Sequence, residues 1–491
     1  MIHDMTRRGF LAASLAMAAT PALPRRVFAQ DRPLSLTAMT RVIEVGGRAA
    51  TVMGLENGAG KQGLVLDPGQ RFRVELTNAL EEETLIHWHG QIPPNEQDGV
   101  PNLPMPLLAP GETRSYDYAS LPGTFWMHSH VPIQEMSLLA APLIVRRPED
   151  LMADRQEVVM FLHDFAFKPA EEVLAEITNG AAHHDMTRMS AQSGMAGMDY
   201  SGMDMSGAMD DGHMAMGGMA MDLNDFDFDA YLANDRTLAD PEVISVEPRG
   251  RILLRVINAA AATVFWIDTG GVSARLVAVD GHPVEPVTGS RFGIAMAQRL
   301  DLEIDLPAAG AFPILALREG ARERTGLILA TPGADIRRIE ELGEIESGAF
   351  DLDFAQERLL RAAATPLAPR PVERSHMIML GGSMQPYRWT INGQVWGSHI
   401  PIIAASGERV HLTFHNMSMM GHPIHLHGHV FQVVNLNGRA MNGALRDTIY
   451  VPPMAMVTVA LDAGEAARWM LHCHHMPHLA TGMMTEFAVS A

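Results

Sequence analysis

The chain has 491 residues, 47% of them hydrophobic, with 43 glycines, 31 prolines and a formal charge of −20. That length exceeds one ordinary domain and suits roughly three units of about 150 residues. The acidic balance argues against nucleic acid or an anionic membrane as partner, and no apolar run reaches the ~20 residues of a membrane span.

The amino terminus reads as an address. Arg7 and Arg8 precede an apolar stretch at 10–19, and Val27, Phe28 and Ala29 offer a small-residue cleavage site. A twin-arginine pair in that setting predicts a Tat signal peptide over 1–29, with the Tat export machinery as a partner and the periplasm as destination. Its removal takes away four arginines and one aspartate, moving the charge from −20 to −23. Cys473 is the single cysteine, so no disulfide can form within the chain. It is a buried small residue, a reactive thiol or a metal ligand.

A weak internal repeat follows. Residues 71–78 recur in pattern as 251–258 and 409–416, each an alternating, β-branched-rich strand after a glycine-containing turn. Downstream, 116–123 leads to 125–130, 302–307 leads to 312–317, and 457–464 leads to 469–474. Short alternating strands between turns describe an antiparallel sandwich. The fold class is therefore all-β: three sandwiches at 31–147, 155–331 and 371–491, with 332–370 as a charged linker carrying some helix. Inside the second unit the composition changes at 181–222. Eleven methionines (186, 189, 195, 198, 203, 205, 209, 214, 216, 219 and 221) lie among Gly, Asp, Ser and Ala, with His183, His184 and His213. The segment has no helical or strand period and reads as a low-complexity insertion. Soft thioethers select Cu(I), so the segment is expected either to gather Cu(I) or to be an inert insert.

The histidines obey the repeat. The first and third copies carry His87 and His89, His128 and His130, then His422, His425 and His427, then His472 and His474 around Cys473, followed by His478 and Met483. The middle copy has Phe265, Trp266, Leu315 and Leu317 there instead, and looks like a spacer. On a strand, residues i and i+2 share a face and i+1 takes the other. Eight histidines (87, 89, 128, 130, 425, 427, 472 and 474) then converge where copies one and three meet. His422 and Cys473 have the opposite parity and point into the third sandwich, with His478 and Met483 just beyond. Imidazole, thiolate and a weak thioether form the ligand set of a blue-copper site. Zinc has little use for the methionine, and the haem and iron–sulfur motifs are missing. Cys473 would hold one copper while its covalent neighbours hold a cluster, giving electrons a short route from a one-electron donor to dioxygen.

These residues resemble the multicopper oxidase family over nearly the whole chain, because the last cluster matches its His-Cys-His-x3-His-x4-Met pattern in full. The resemblance implies Greek-key cupredoxin domains and four copper ions. His422, Cys473, His478 and Met483 would bind type 1 copper, and His87 and His425 type 2. His89, His128, His130, His427, His472 and His474 would bind the type 3 pair. Within the family the sequence looks most like bacterial cuprous oxidases and copper-resistance oxidases. Asp98 sits where those proteins carry a proton-relay acid, and Met420 matches a methionine of their substrate-copper site. Ser418 and Leu479 stand where they have an aspartate and a second relay glutamate. The expected function is oxidation of Cu(I) to Cu(II) in copper tolerance, coupled to reduction of dioxygen to water. A laccase-type oxidase of phenolic substrates and a periplasmic copper-sequestering protein are the alternatives.

Overall fold

The computed structural model describes residues 32–179, 223–363 and 366–491. The expected signal peptide at 1–29 and the methionine segment at 181–222 lie outside the described residues.

The strands form three β-sandwiches with one common plan. In each, an opening strand runs parallel to a second strand, which pairs antiparallel with a third. These trios are Leu34–Val45, Phe72–Asn78 and Thr113–Tyr118 in the first sandwich. They are Gln156–Phe165, Arg251–Asn258 and Arg299–Asp305 in the second. In the third they are Arg374–Met384, Arg409–Asn416 and Met456–Asp462. A second sheet closes each sandwich. Alternation explains the first trio: Phe72, Val74 and Leu76 are buried while Arg73 and Glu75 face water. Each sandwich has its own apolar core.

The strand Arg251–Asn258 departs from that alternation and is buried along nearly its whole length. Its outward Arg255 is covered at the junction with the first sandwich, where it meets Asp301, Asp150, Glu157 and the hydroxyl of Thr124. Buried charge is tolerated there because three carboxylates and a hydroxyl meet its two terminal nitrogens, while Nε has no hydrogen-bond partner. Among the described residues, the only helical piece in the linker is the turn Glu357–Leu359. Its Glu357 receives two hydrogen bonds from Arg446, so the linker is pinned to the third sandwich.

The closing sheets of the first and third sandwiches position the histidines. Ile86–His87 pairs with Gly123–Ser129, setting His87 opposite His128. His422–Leu426 pairs with Arg468–Cys473, setting His425 opposite His472. The two sheet ends abut, and the eight histidines of alternate parity meet in the seam.

Candidate metal centre

Two groups of donor atoms result. The smaller lies inside the third sandwich. Cys473 Sγ is 3.7 Å from His422 Nδ1 and 3.6 Å from His478 Nδ1, and the two nitrogens are 3.2 Å apart. The far side of the His422 ring donates from Nε2 to Ser418 Oγ at 2.9 Å, leaving Nδ1 bare. The short helix Met476–Ala480 carries His478 back to the sulfur. Met483 then binds the turn shut: its N–H donates to the carbonyl of His478, and its own carbonyl accepts from Cys473. Burial pushes the Cys473 thiol up out of its ordinary range. A thiolate at this position needs a cation beside it.

The larger group fills the seam. His87 Nδ1 donates to the carbonyl of Asp98 at 2.8 Å, and His425 Nδ1 to the carbonyl of Asp447 at 2.9 Å. Both protons are thereby placed on Nδ1, and the two bare Nε2 atoms face each other at 3.4 Å. His427 donates from Nδ1 to Asp98 Oδ2 at 2.8 Å and His472 from Nδ1 to the carbonyl of Cys473 at 3.0 Å. Their bare Nε2 atoms are 3.0 Å apart, with His130 completing the trio. In a third set, His128 Nε2 lies 3.4 Å from both His89 Nδ1 and His474 Nε2.

Bare lone pairs aimed at one another repel unless a cation lies between them, and His130 Nε2 is buried with no hydrogen-bond partner. Burial first, and neighbouring imidazoles second, hold His130, His474 and His89 well below the usual histidine range. They are neutral at neutral pH, the form that binds metal. The donor set, imidazoles in the seam and two imidazoles with a thiolate in the third sandwich, fits copper.

The same assignment emerges from the chain as a whole. Sequence profiles described as multicopper oxidase match residues 37–150, 157–331 and 369–491. The chain belongs to the multicopper oxidase family. It is 31% identical to the multicopper oxidase MmcO of Mycobacterium tuberculosis, over 97% of this chain and 89% of that protein. It is 25% identical to copper resistance protein A of Escherichia coli, over 91% and 92%. The fold matches the crystal structure of a multi-copper oxidase from Pseudomonas thermotolerans with a TM-score of 0.65, covering 93% and 98% at 23% identity. Members of this family are copper-dependent oxidoreductases, and the three sandwiches expected from the repeated strands have the cupredoxin architecture that the family resemblance implies.

The structure brings together His87, His89, His128, His130, His425, His427, His472 and His474 in the seam, and His422, Cys473, His478 and Met483 in the third sandwich. Asp98 is buried against the seam, touching His87 through its carbonyl and His427 through its carboxylate. Met420 is buried in the core of the third sandwich, the same apolar cluster that holds Cys473 and Met483.

Several polar residues around these donor groups stand out only in the structure. Asp447 Oδ1 lies 3.2 Å from His89 Nε2 and is itself gripped by two hydrogen bonds from Arg299 of the middle sandwich. Glu135 approaches His128 and His474. Asp225, also from the second unit, accepts the hydroxyl of Tyr387 and lies 3.6 Å from His478 Nε2. No local signal marks Arg299 or Asp447: Arg299 opens a strand that also carries Asp301, Glu303 and Asp305, and Asp447 directly follows Arg446.

Proposed function

We propose that this protein is a periplasmic copper-tolerance oxidase that converts Cu(I) to Cu(II) and reduces dioxygen to water. In this reading His422, Cys473, His478 and Met483 hold type 1 copper and His87 and His425 hold type 2. His89, His128 and His474 hold one type 3 ion, and His130, His427 and His472 hold the other. Copper so bound supplies one-electron oxidation of the donor and four-electron reduction of dioxygen. The chain's own residues orient the ligands, connect the two sites and handle protons. His472 and Cys473 are adjacent, and the His472 ring is hydrogen-bonded to the Cys473 carbonyl, so one peptide unit joins the sulfur ligand to the cluster. Asp98 Oδ1 is buried without a hydrogen-bond partner, 3.4 Å from His87 Nδ1. That free oxygen can take up and release the protons that reduction of dioxygen consumes. Asn95 and Glu96, on the same turn, line a cavity of about 890 Å³ between the first and third sandwiches.

The surface beside His422 carries the choice of Cu(I). Ser418, which receives the His422 ring, sits between Met417 and Met419, 57% and 40% exposed. Met454, 57% exposed, joins them: its N–H donates to the carbonyl of Ser418 at 3.3 Å. Its φ is 55°, a left-handed conformation that normally goes to glycine or asparagine. A long thioether placed there at a conformational cost points to use of the side chain. Water-facing thioethers bind Cu(I) better than they bind a neutral ring. His478, by contrast, is fully buried, with Asp225 against its outer nitrogen, which leaves a phenol no imidazole edge to touch.

Steady-state rates with Cu(I) and with a phenol, measured side by side on copper-loaded protein, test the proposal. Replacing Met417, Met419 and Met454 together by leucine should raise KM for Cu(I) at least about tenfold, the loss of about 1.4 kcal/mol of binding, and leave phenol turnover within twofold. Deleting 183–221 should likewise slow Cu(I) oxidation and leave phenol oxidation equal or faster. A parallel fall in both rates, or a phenol rate far above the Cu(I) rate, would replace this reading with a laccase. Tight copper retention without turnover of either donor would replace it with sequestration.

A further inference from the structure

Glu135 sits on the short helix Pro132–Met136, directly after the second histidine pair, and is 3% exposed. Its neighbour Gln134 fixes that helix. Gln134 Oε1 accepts from Thr84 and Ser129, each at 2.7 Å, and its amide nitrogen donates to the carbonyl of Glu83 at 2.8 Å. The carboxylate is therefore carried on a locked support. Its Oε2 lies 2.7 Å from His128 Nδ1 and its Oε1 lies 3.7 Å from His474 Nδ1. One ring belongs to the first sandwich and the other to the third, and both turn their Nε2 atoms to a common point.

Among the described residues, no lysine or arginine is paired with Glu135, and its Oε1 has no hydrogen-bond partner. A buried carboxylate without a cation is costly. Here the charge faces the backs of two imidazoles whose fronts converge, so a metal ion on the far side of the rings would be its counter-charge. The third member of that set, His89, is backed by Asp447 at 3.2 Å. His128 Nδ1 also meets the carbonyl of Ser129 at 3.0 Å, so this ring has a backbone oxygen and a carboxylate behind it, and all three rings of the trio have a carboxylate nearby. In the other trio His427 rests on Asp98, whereas His472 rests on a backbone carbonyl.

We infer that Glu135 is a positioning residue for the copper ion held by His89, His128 and His474. It spans ligands from the two ends of the chain and makes this ion the more firmly held of the type 3 pair. Carboxylates behind metal-bound histidines fix the tautomer and raise the basicity of the ligating nitrogen, and their loss costs 10–100-fold in metal affinity.

The test is copper release into a chelator from wild type and Glu135→Gln, followed by metal content, the near-ultraviolet band of the coupled cupric pair and the visible type 1 band. The variant should lose one ion about 10–100-fold faster, with the pair band falling in step and the blue colour unchanged. The copper-free variant should melt no lower than copper-free wild type, since a neutral amide of nearly the same shape replaces a buried carboxyl group with no cationic partner. Release at the wild-type rate would overturn the inference. So would a lower copper-free melting temperature with an unchanged rise on adding copper, the signature of a purely structural role. Should Glu135→Gln fail to fold, Glu135→Asp decides, because it keeps the charge but cannot span both rings. Faster release supports the bridge and unchanged release removes it.

Discussion

The middle and third sandwiches share a strand plan and differ in what their closing sheets hold. In the third, neighbouring strands bring His422 and Cys473 within 3.7 Å of each other. In the middle one, the paired strands Phe265–Asp268 and Ala311–Arg318 set Trp266 opposite Leu317 and bury Phe265, Ile267, Ile314 and Ala316 in an ordinary core. The same backbone closes equally well around a metal site or around hydrocarbon, so the fold does not need the copper. The middle unit instead sends its polar groups outward to its neighbours: Arg299 to Asp447 behind His89, and Asp225 to His478. It is a brace and not merely a spacer.

The sharpest way to break the comparison is to remove what only the third sandwich has. Cys473→Ser should abolish the blue absorption and the oxidation of every donor, leave most cluster copper bound, and preserve the β-sheet circular dichroism. A variant that stayed blue would sink the ligand assignment. Next comes the brace. Arg299→Leu strands Asp447 as an unpaired buried charge, which costs about 3–5 kcal/mol. Chemical denaturation of copper-free protein should show that loss, and cluster copper should bind more weakly while the type 1 colour survives. The smallest effect concerns the middle sandwich alone. Burial pushes His163 down to about 4, and neither ring nitrogen has a hydrogen-bond partner. The unfolded ring gains its proton below about pH 6.5, whereas the folded ring resists it. Stability from this group is therefore complete above about pH 6.5 and falls by up to roughly 1.4 kcal/mol per pH unit as the pH drops toward 4. His163→Leu should flatten the copper-free stability curve across that window, and an unaltered slope would show that other groups set it.

Strand parity made the metal site legible before any coordinates. Residues two apart must share a face, so His87 with His89 and His472 with His474 could be assigned to the seam and Cys473 to the opposite side. Helix and loop positions were less constrained, because no period fixes which methionine of the loop before His422 is buried: Met420 is 6% exposed. Its neighbours Met417 and Met419, on the same loop, are the ones that face water. The supporting acids were illegible for a different reason. Asp447 meets Arg299 across 148 residues and His89 across 358, and no local pattern encodes pairings of that span. Glu135 was nearer to notice, as a buried acid following a histidine pair, but its second partner His474 comes from the other end of the chain.

That span also governs when the centre can exist. His128 and His474 stand 346 residues apart in sequence and 3.4 Å apart in space. During synthesis the first sandwich emerges with four of the eight seam histidines and has nothing to complete the set until the last strands leave the ribosome. Early chains can offer only isolated imidazole pairs, which hold metal weakly and without discrimination. Cluster assembly is thus a closing act, a buckle fastened after all three units are in place. A truncated or stalled chain is left with an incomplete set of donor atoms.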